Sequence, residues 1–184
     1  LHVRSRRQRQ MCIRDRNRRA GGYTGADTGL FCVNTTTAER DALYDRLIVE
    51  RARAPLYAGR LSVPDVQGDG RNPLCGDKTH LDIALDGHHI QDIRHNTRGC
   101  AICAAAADLM AEHVRGNTVA QALAVSDRFR AMLVGSPSLP VVEAQPAPLG
   151  ALEVFAPLQS HKARIRCAEL PWIALKEAFS HVDG

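Results

Sequence analysis

The amino-acid sequence predicts an α+β domain, a small antiparallel sheet of about three strands packed against several helices. Two observations carry this. An alternating run at Thr79–Leu85 meets Asp86-Gly87 and then a second strand-like run, His89–Asn96. Segments with apolar residues at helical spacing lie on both sides of that pair, in runs rather than in strand–helix alternation.

The first helix is expected from Thr36. Thr36-Thr37-Ala38-Glu39 reads as a capping box, with Thr36 as N-cap and Glu39 reaching back to it. Leu43, Tyr44, Leu47 and Ile48 form its apolar stripe, and Pro55 limits it. Residues 59–74 mix glycine and proline with small polar residues and read mostly as loop. In the first strand Leu81, Ile83 and Leu85 alternate with polar residues, the pattern of a half-buried strand. Asp86-Gly87 is expected at the two central positions of a type I′ turn, which both need positive φ. In the returning strand Ile90 and Ile93 break the alternation, which predicts a bulge.

Gly99-Cys100 leads into an Ala-rich helix over 101–115, packing Leu109, Met110 and Val114 and ended by Gly116. Thr118 caps the next helix, whose stripe includes Val119, Leu123 and Met132 with Phe129 nearby, and Gly135 closes it. Pro137, Pro140, Pro146 and Pro148 make residues 136–148 an irregular connection. A short helix follows through Leu152, Phe155 and Leu158. Lys162–Cys167 reads as a basic loop, and Pro171 fits the first turn of a last helix carrying Trp172, Leu175 and Phe179.

A length of 184 residues allows one domain with loose ends. Hydrophobic residues make up 45% of the chain but aromatics only 4%, so the core is expected to be aliphatic. The net charge of +4 is unevenly placed. Residues 1–22 hold eight arginines against Asp15, which gives that segment +7 and the remainder −3. A nucleic-acid binder carries its basic face on the folded domain, so no nucleic-acid partner is expected. Residues 1–32 are expected to be a disordered basic tail that is not native, and residues 33–184 the domain. Met11-Cys12-Ile13-Arg14-Asp15-Arg16 has the look of translated adaptor sequence. An organellar transit peptide would be rich in serine and amphipathic, whereas Ser5 is the segment's only serine. No apolar run approaches the ~20 residues of a membrane span. No signal-peptide pattern is recognisable, and a cytoplasmic location is expected.

There are six cysteines: Cys12, Cys32, Cys75, Cys100, Cys103 and Cys167. In a cytosolic protein such spread thiols are metal ligands or reactive groups more often than disulfides. Cys75 and Asp77 are two apart, and in extended chain residues i and i+2 point the same way. Gly76 between them permits a sharp backbone. That spacing alone also fits an ordinary loop with a free cysteine. Cys100 stands at a helix start, where unpaired N–H groups favour a thiolate. The Thr79–Asn96 hairpin returns its ends to one place, which brings Cys75, Asp77 and Cys100 together at one edge of the sheet. Cys167 completes three thiolates and one carboxylate, a set suited to tetrahedral zinc or to an iron–sulfur cluster. Lys162, Arg164 and Arg166 would offset its negative charge. Cys100-Ala101-Ile102-Cys103 also reads as a redox CxxC, but no βαβ unit surrounds it, and Cys103 reads as a packing residue. His80, His88, His89, His95 and His113 read as bland; His161 is the histidine nearest Cys167 in sequence.

Three segments carry a resemblance. They are Asn72-Pro73-Leu74-Cys75-Gly76-Asp77, Arg98-Gly99-Cys100-Ala101-Ile102-Cys103, and Ala163 through Trp172. In that order they resemble the signatures of the SufU/IscU/NifU amino-terminal family of iron–sulfur cluster assembly proteins, over about residues 38–180. Classical IscU scaffolds have a histidine immediately before the last cysteine; here Arg166 stands there. The long connection between Gly135 and Lys162 resembles the SufU insertion. The resemblance therefore implies a SufU-type, zinc-dependent sulfur acceptor working with a SufS-like cysteine desulfurase and passing sulfur to downstream iron–sulfur scaffold proteins. It implies Cys75 as the acceptor, Cys75, Asp77, Cys100 and Cys167 as the metal ligands, and Arg164 and Arg166 as supporting residues. Its alternative is a scaffold that builds an iron–sulfur cluster on the same ligands. Where the family's first helix often carries histidine, this chain has Arg51.

Overall fold

The computed structural model describes residues 46–135 and 148–180. The expectations for the basic tail, the Thr36 capping box and most of the proline-rich connection lie outside them. Helix α1 is described over Arg46–Arg53, and strands β1, β2 and β3 span Val66–Arg71, Lys78–Asp86 and His89–Arg98. Then come α2 (Ala101–Val114), α3 (Val119–Val134), a 3₁₀ helix (Gly150–Ser160) and α4 (Lys162–Ser180). The sheet is antiparallel in the order β1-β2-β3. The α+β expectation is met: helices α2 and α4 lie against the sheet, and Leu81, Ile83, Ile90 and Ile93 meet Ile102, Leu109 and Leu175 in one aliphatic core.

β1 corrects the loop reading of residues 59–74. Its two glycines disguise it, and α4 explains them. A Cβ on Gly68 would sit 2.0 Å from the Ala174 carbonyl oxygen, and one on Gly70 2.7 Å from that of Leu170. The strand has given up side chains so that a helix backbone can approach it.

The hairpin turn is Gly87-His88, closed by the pair Asp86↔His89, one residue later than expected. Gly87 carries the positive φ, +59°. The bulge is present. Ala84 pairs with Asp92 and Leu85 with Ile90, so Gln91 is the extra residue and both Ile90 and Ile93 reach the core.

Helix α2 ends with Arg115 as C-cap and Gly116 at φ +83°. Thr118 and Gln121 form a reciprocal capping box on α3. The buried face of α3 differs from the expected stripe. It presents Ala122, Val125, Ser126, Phe129 and Leu133, whereas Val119, Leu123 and Met132 are only half-buried. Leu152, Phe155 and Leu158 recur every three residues, the period of the 3₁₀ helix that carries them, and all three are buried.

The largest correction concerns α4. Lys162–Cys167 is its first stretch rather than a loop, and Pro171 lies inside the helix rather than at its start. A proline has no N–H to give the carbonyl of residue i−4, so the Cys167 carbonyl loses its intrahelical donor.

Candidate metal centre

The six residues between β1 and β2 form a loop closed by Arg71↔Lys78. Asn72 organises it. Its N–H donates to the Asp77 carbonyl (2.9 Å), its own carbonyl accepts from the Gly76 N–H (2.8 Å), and its Oδ1 accepts from the Leu74 N–H (3.1 Å). Gly76 has φ +78°, a left-handed conformation that a side chain would strain. The loop thus holds Cys75 outward and turns Asp77 inward: Cys75 is exposed, whereas Asp77 is only 6% accessible.

At the same end of the sheet Lys78 pairs with Arg98, which places Gly99 and Cys100 beside Asp77. The Asp77 carboxylate packs on Gly99 so closely that a Cβ there would lie 2.7 Å from Asp77 Cγ. Cys100 is the N-cap of α2 and is half-buried. From α4 the buried Cys167 reaches the same point.

One ligand atom each from Cys75, Asp77 and Cys167 lies within 4.8 Å of the others. Cys100 falls outside that mutual group but stands next to it. Burial, then the charge and hydrogen bonding of Cys100, then those of Asp77 push the Cys167 thiol well above the ordinary range. The residues at this point fit a cation. Asp77 Oδ2 is buried with no hydrogen-bond partner among the described residues, which is costly for a carboxylate unless a cation answers it. Thiolates with one carboxylate are zinc-type donors, and binding a cation is what would ionise a thiol held in such surroundings.

Cys103 is fully buried, with Sγ 3.7 Å from Thr79 Oγ1. Burial pushes its thiol up to about 12, as expected of a packing residue. Arg164 and Arg166 project from the first turns of α4 and are exposed. His161 is the C-cap residue of the 3₁₀ helix. Arg51 contacts the later turns of α2, away from Cys100 at its start. It pairs with the buried Asp108 at 2.7 Å and with Glu112. Asp108 also accepts from the Tyr57 N–H (2.7 Å) and meets His95 Nε2 at 3.4 Å. Sequence reading gave Asp108 and His95 no role, because a buried Asp inside an Ala-rich helix is identifiable only once its partners are known.

Fold and geometry together define an α+β domain with a Cys/Asp metal-ligand group at one end of its sheet. The family model described as NifU-like N terminal domain matches residues 43–180, and the chain belongs to that family. It is 31% identical over 147 residues to the zinc-dependent sulfurtransferase SufU of Bacillus subtilis, covering 80% of this chain and 96% of that protein. It is 34% identical over 137 residues to the iron-sulfur cluster assembly scaffold protein IscU of Streptococcus pyogenes, covering 74% and 82%. Its fold matches the crystal structure of a putative iron-sulfur cluster assembly scaffold protein for the SUF system from Fervidobacterium islandicum. That match has a TM-score of 0.66 and 26% identity, over 75% of this chain and 97% of that one. No helix among the described residues is long and apolar enough to cross a membrane.

Proposed function

We propose that this protein serves iron–sulfur cluster assembly as a SufU-type sulfur acceptor, with Cys75 receiving sulfur from a persulfide on a cysteine desulfurase. The observation that carries the reading is the unequal burial of the ligand group. Asp77 and Cys167 are enclosed, whereas Cys75 sits exposed at a loop tip beside Leu74, which is 82% accessible. A partner's persulfide can reach only a thiol that is offered at the surface.

In the transfer, the Cys75 thiolate attacks the outer sulfur of the partner's Cys–S–SH. The partner's S–S bond breaks and its cysteine leaves as a thiolate. The new bond makes a Cys75 persulfide, and sulfur moves with no net oxidation. Cys75, Asp77, Cys100 and Cys167 would hold the metal, and zinc there would supply the positive charge that keeps such thiols ionised near neutral pH. Asp77 supplies the fixed, buried donor and Asn72 holds the loop that presents Cys75. Arg164 and Arg166, exposed beside Cys167, offer positive charge where the partner would approach. The location would be cytoplasmic, and the sulfur would pass on to downstream iron–sulfur scaffold proteins.

Arg166 immediately before Cys167 favours the acceptor over a cluster-building scaffold on the same ligands. Anaerobic purification separates the two: an acceptor is colourless with one zinc, a scaffold brown with iron and sulfide. The direct test mixes the protein with a cysteine desulfurase and cysteine and follows alanine release. Wild type is expected to accelerate release and gain one sulfur at Cys75 by mass spectrometry, whereas Cys75→Ser remains folded and does neither. Full stimulation by Cys75→Ser would end the proposal.

A further inference from the structure

A cavity lies beside the candidate metal centre, between α3, α4 and the end of β1, with a volume of about 260 Å³. That is just under the ~300–1,000 Å³ of typical ligand sites, so its occupant is small. Four cationic side chains line it, and two of them are already paired: Arg130 with Glu169 at 3.5 Å and Lys176 with Asp127 at 2.6 Å. Arg71 and Arg166 make no ion pair among the described residues, so two guanidinium groups flank the cavity without an anion.

The wall also carries neutral hydrogen-bond donors. Ser126, 3% accessible, lines the cavity and brings a hydroxyl to it. The Trp172 indole N–H, in the same wall, is buried and without a partner among the described residues. Asn72 gives its Oδ1 to the Leu74 N–H, which leaves its NH₂ as a donor. Phe129, Leu170 and Ile173 form the apolar part of the wall, and Glu169, its one carboxylate, is the partner of Arg130. Buried polar groups are ordinarily satisfied. Unpaired donors and guanidinium groups around an apolar floor define a counterpart made of acceptors, negative charge and a hydrophobic body.

We propose that this cavity binds a small organic anion, a carboxylate or phosphate oxyanion carried on a compact apolar body. The inference does not depend on sulfur transfer. Arg71 and Arg166 hold the oxyanion, Ser126 donates to it, and the apolar body rests against Phe129 and Leu170.

Trp172 is the chain's one tryptophan, so its fluorescence reports this cavity directly. The full chain is titrated with benzoate, phenyl phosphate and, as a neutral control of the same shape, benzamide. Saturable fluorescence changes are expected with at least one aryl anion, the tighter naming the head group, and none with benzamide. Arg71→Gln is expected to weaken binding roughly tenfold or more, as for a lost charge-assisted hydrogen bond. Ser126→Ala, a small change inside α3, is expected to weaken it severalfold, and it serves if the arginine variant proves misfolded by circular dichroism. The proposal is overturned if neither anion saturates, if benzamide binds equally, or if folded variants bind like wild type.

Discussion

Two buried aspartates, one within α2 and one in the loop before β2, are treated in opposite ways. Asp108 is fully buried and answered on every side, by Arg51, the Tyr57 N–H and His95. Asp77 is nearly as buried but has an oxygen with no partner among the described residues. A satisfied buried carboxylate fastens α1, the Tyr57 segment and β3 to α2. The unsatisfied one keeps a free acceptor oxygen where two thiols converge. The contrast separates structure from function without appeal to residue type.

The contrast can be broken by mutation. Asp108→Ala leaves Arg51 and His95 without their shared acceptor and is expected to cost about 3–5 kcal/mol, the usual effect of removing one partner of a buried pair. Urea denaturation measures it. Burial pushes the Asp108 carboxyl up, but hydrogen bonds from His95, Tyr57 and Arg51 outweigh that and hold it below the ordinary carboxylate range. A depressed folded value stabilises above the unfolded pKa of ~3.9 and is lost as pH falls through the folded one. Wild-type stability should therefore decline below about pH 4, and Asp108→Asn should flatten that decline.

On the other side, Gly99→Ala pushes a methyl group into Asp77. It is expected to lower zinc affinity ~10–100-fold, the range for a lost supporting contact at a metal site, in a chelator competition assay. Asp77→Asn sharpens the comparison because its sign reverses with metal. In metal-free protein it replaces a buried carboxylate that has one unpartnered oxygen and should be neutral or stabilising by about 1–3 kcal/mol. In zinc-loaded protein it should destabilise. Destabilisation in both states would mean that Asp77 is another Asp108. As the smallest effect, Glu50→Ala breaks an exposed i,i+4 pair with Arg46 and should cost under about 0.5 kcal/mol.

Much of the fold was legible because side-chain periodicity reports burial directly. The β2–β3 hairpin, its bulge and the capped α3 are read from Leu81, Ile83, Ile90, Ile93 and Thr118. β1 was hidden because its information lies in what Gly68 and Gly70 lack, and only the neighbouring helix makes that absence meaningful. The start of α4 is not legible in the sequence because Pro171 is a strong local signal that packing overrides: Leu170, Trp172, Ala174 and Leu175 are all buried. The site's residue types were legible through three short motifs. Their unequal exposure was not, since whether a loop cysteine faces inward or outward depends on the Asn72 hydrogen bonds.

Pro171 has one more consequence. Without a rung between its nitrogen and the Cys167 carbonyl, the opening turns of α4 are tied to the remainder by one fewer fastening. The residue whose thiol belongs to the ligand group is thus also the one whose carbonyl the proline leaves unanswered within the helix. Packing holds the two parts in line instead, with Cys167, Ala168 and Leu170 buried before the proline and Trp172 and Leu175 after it.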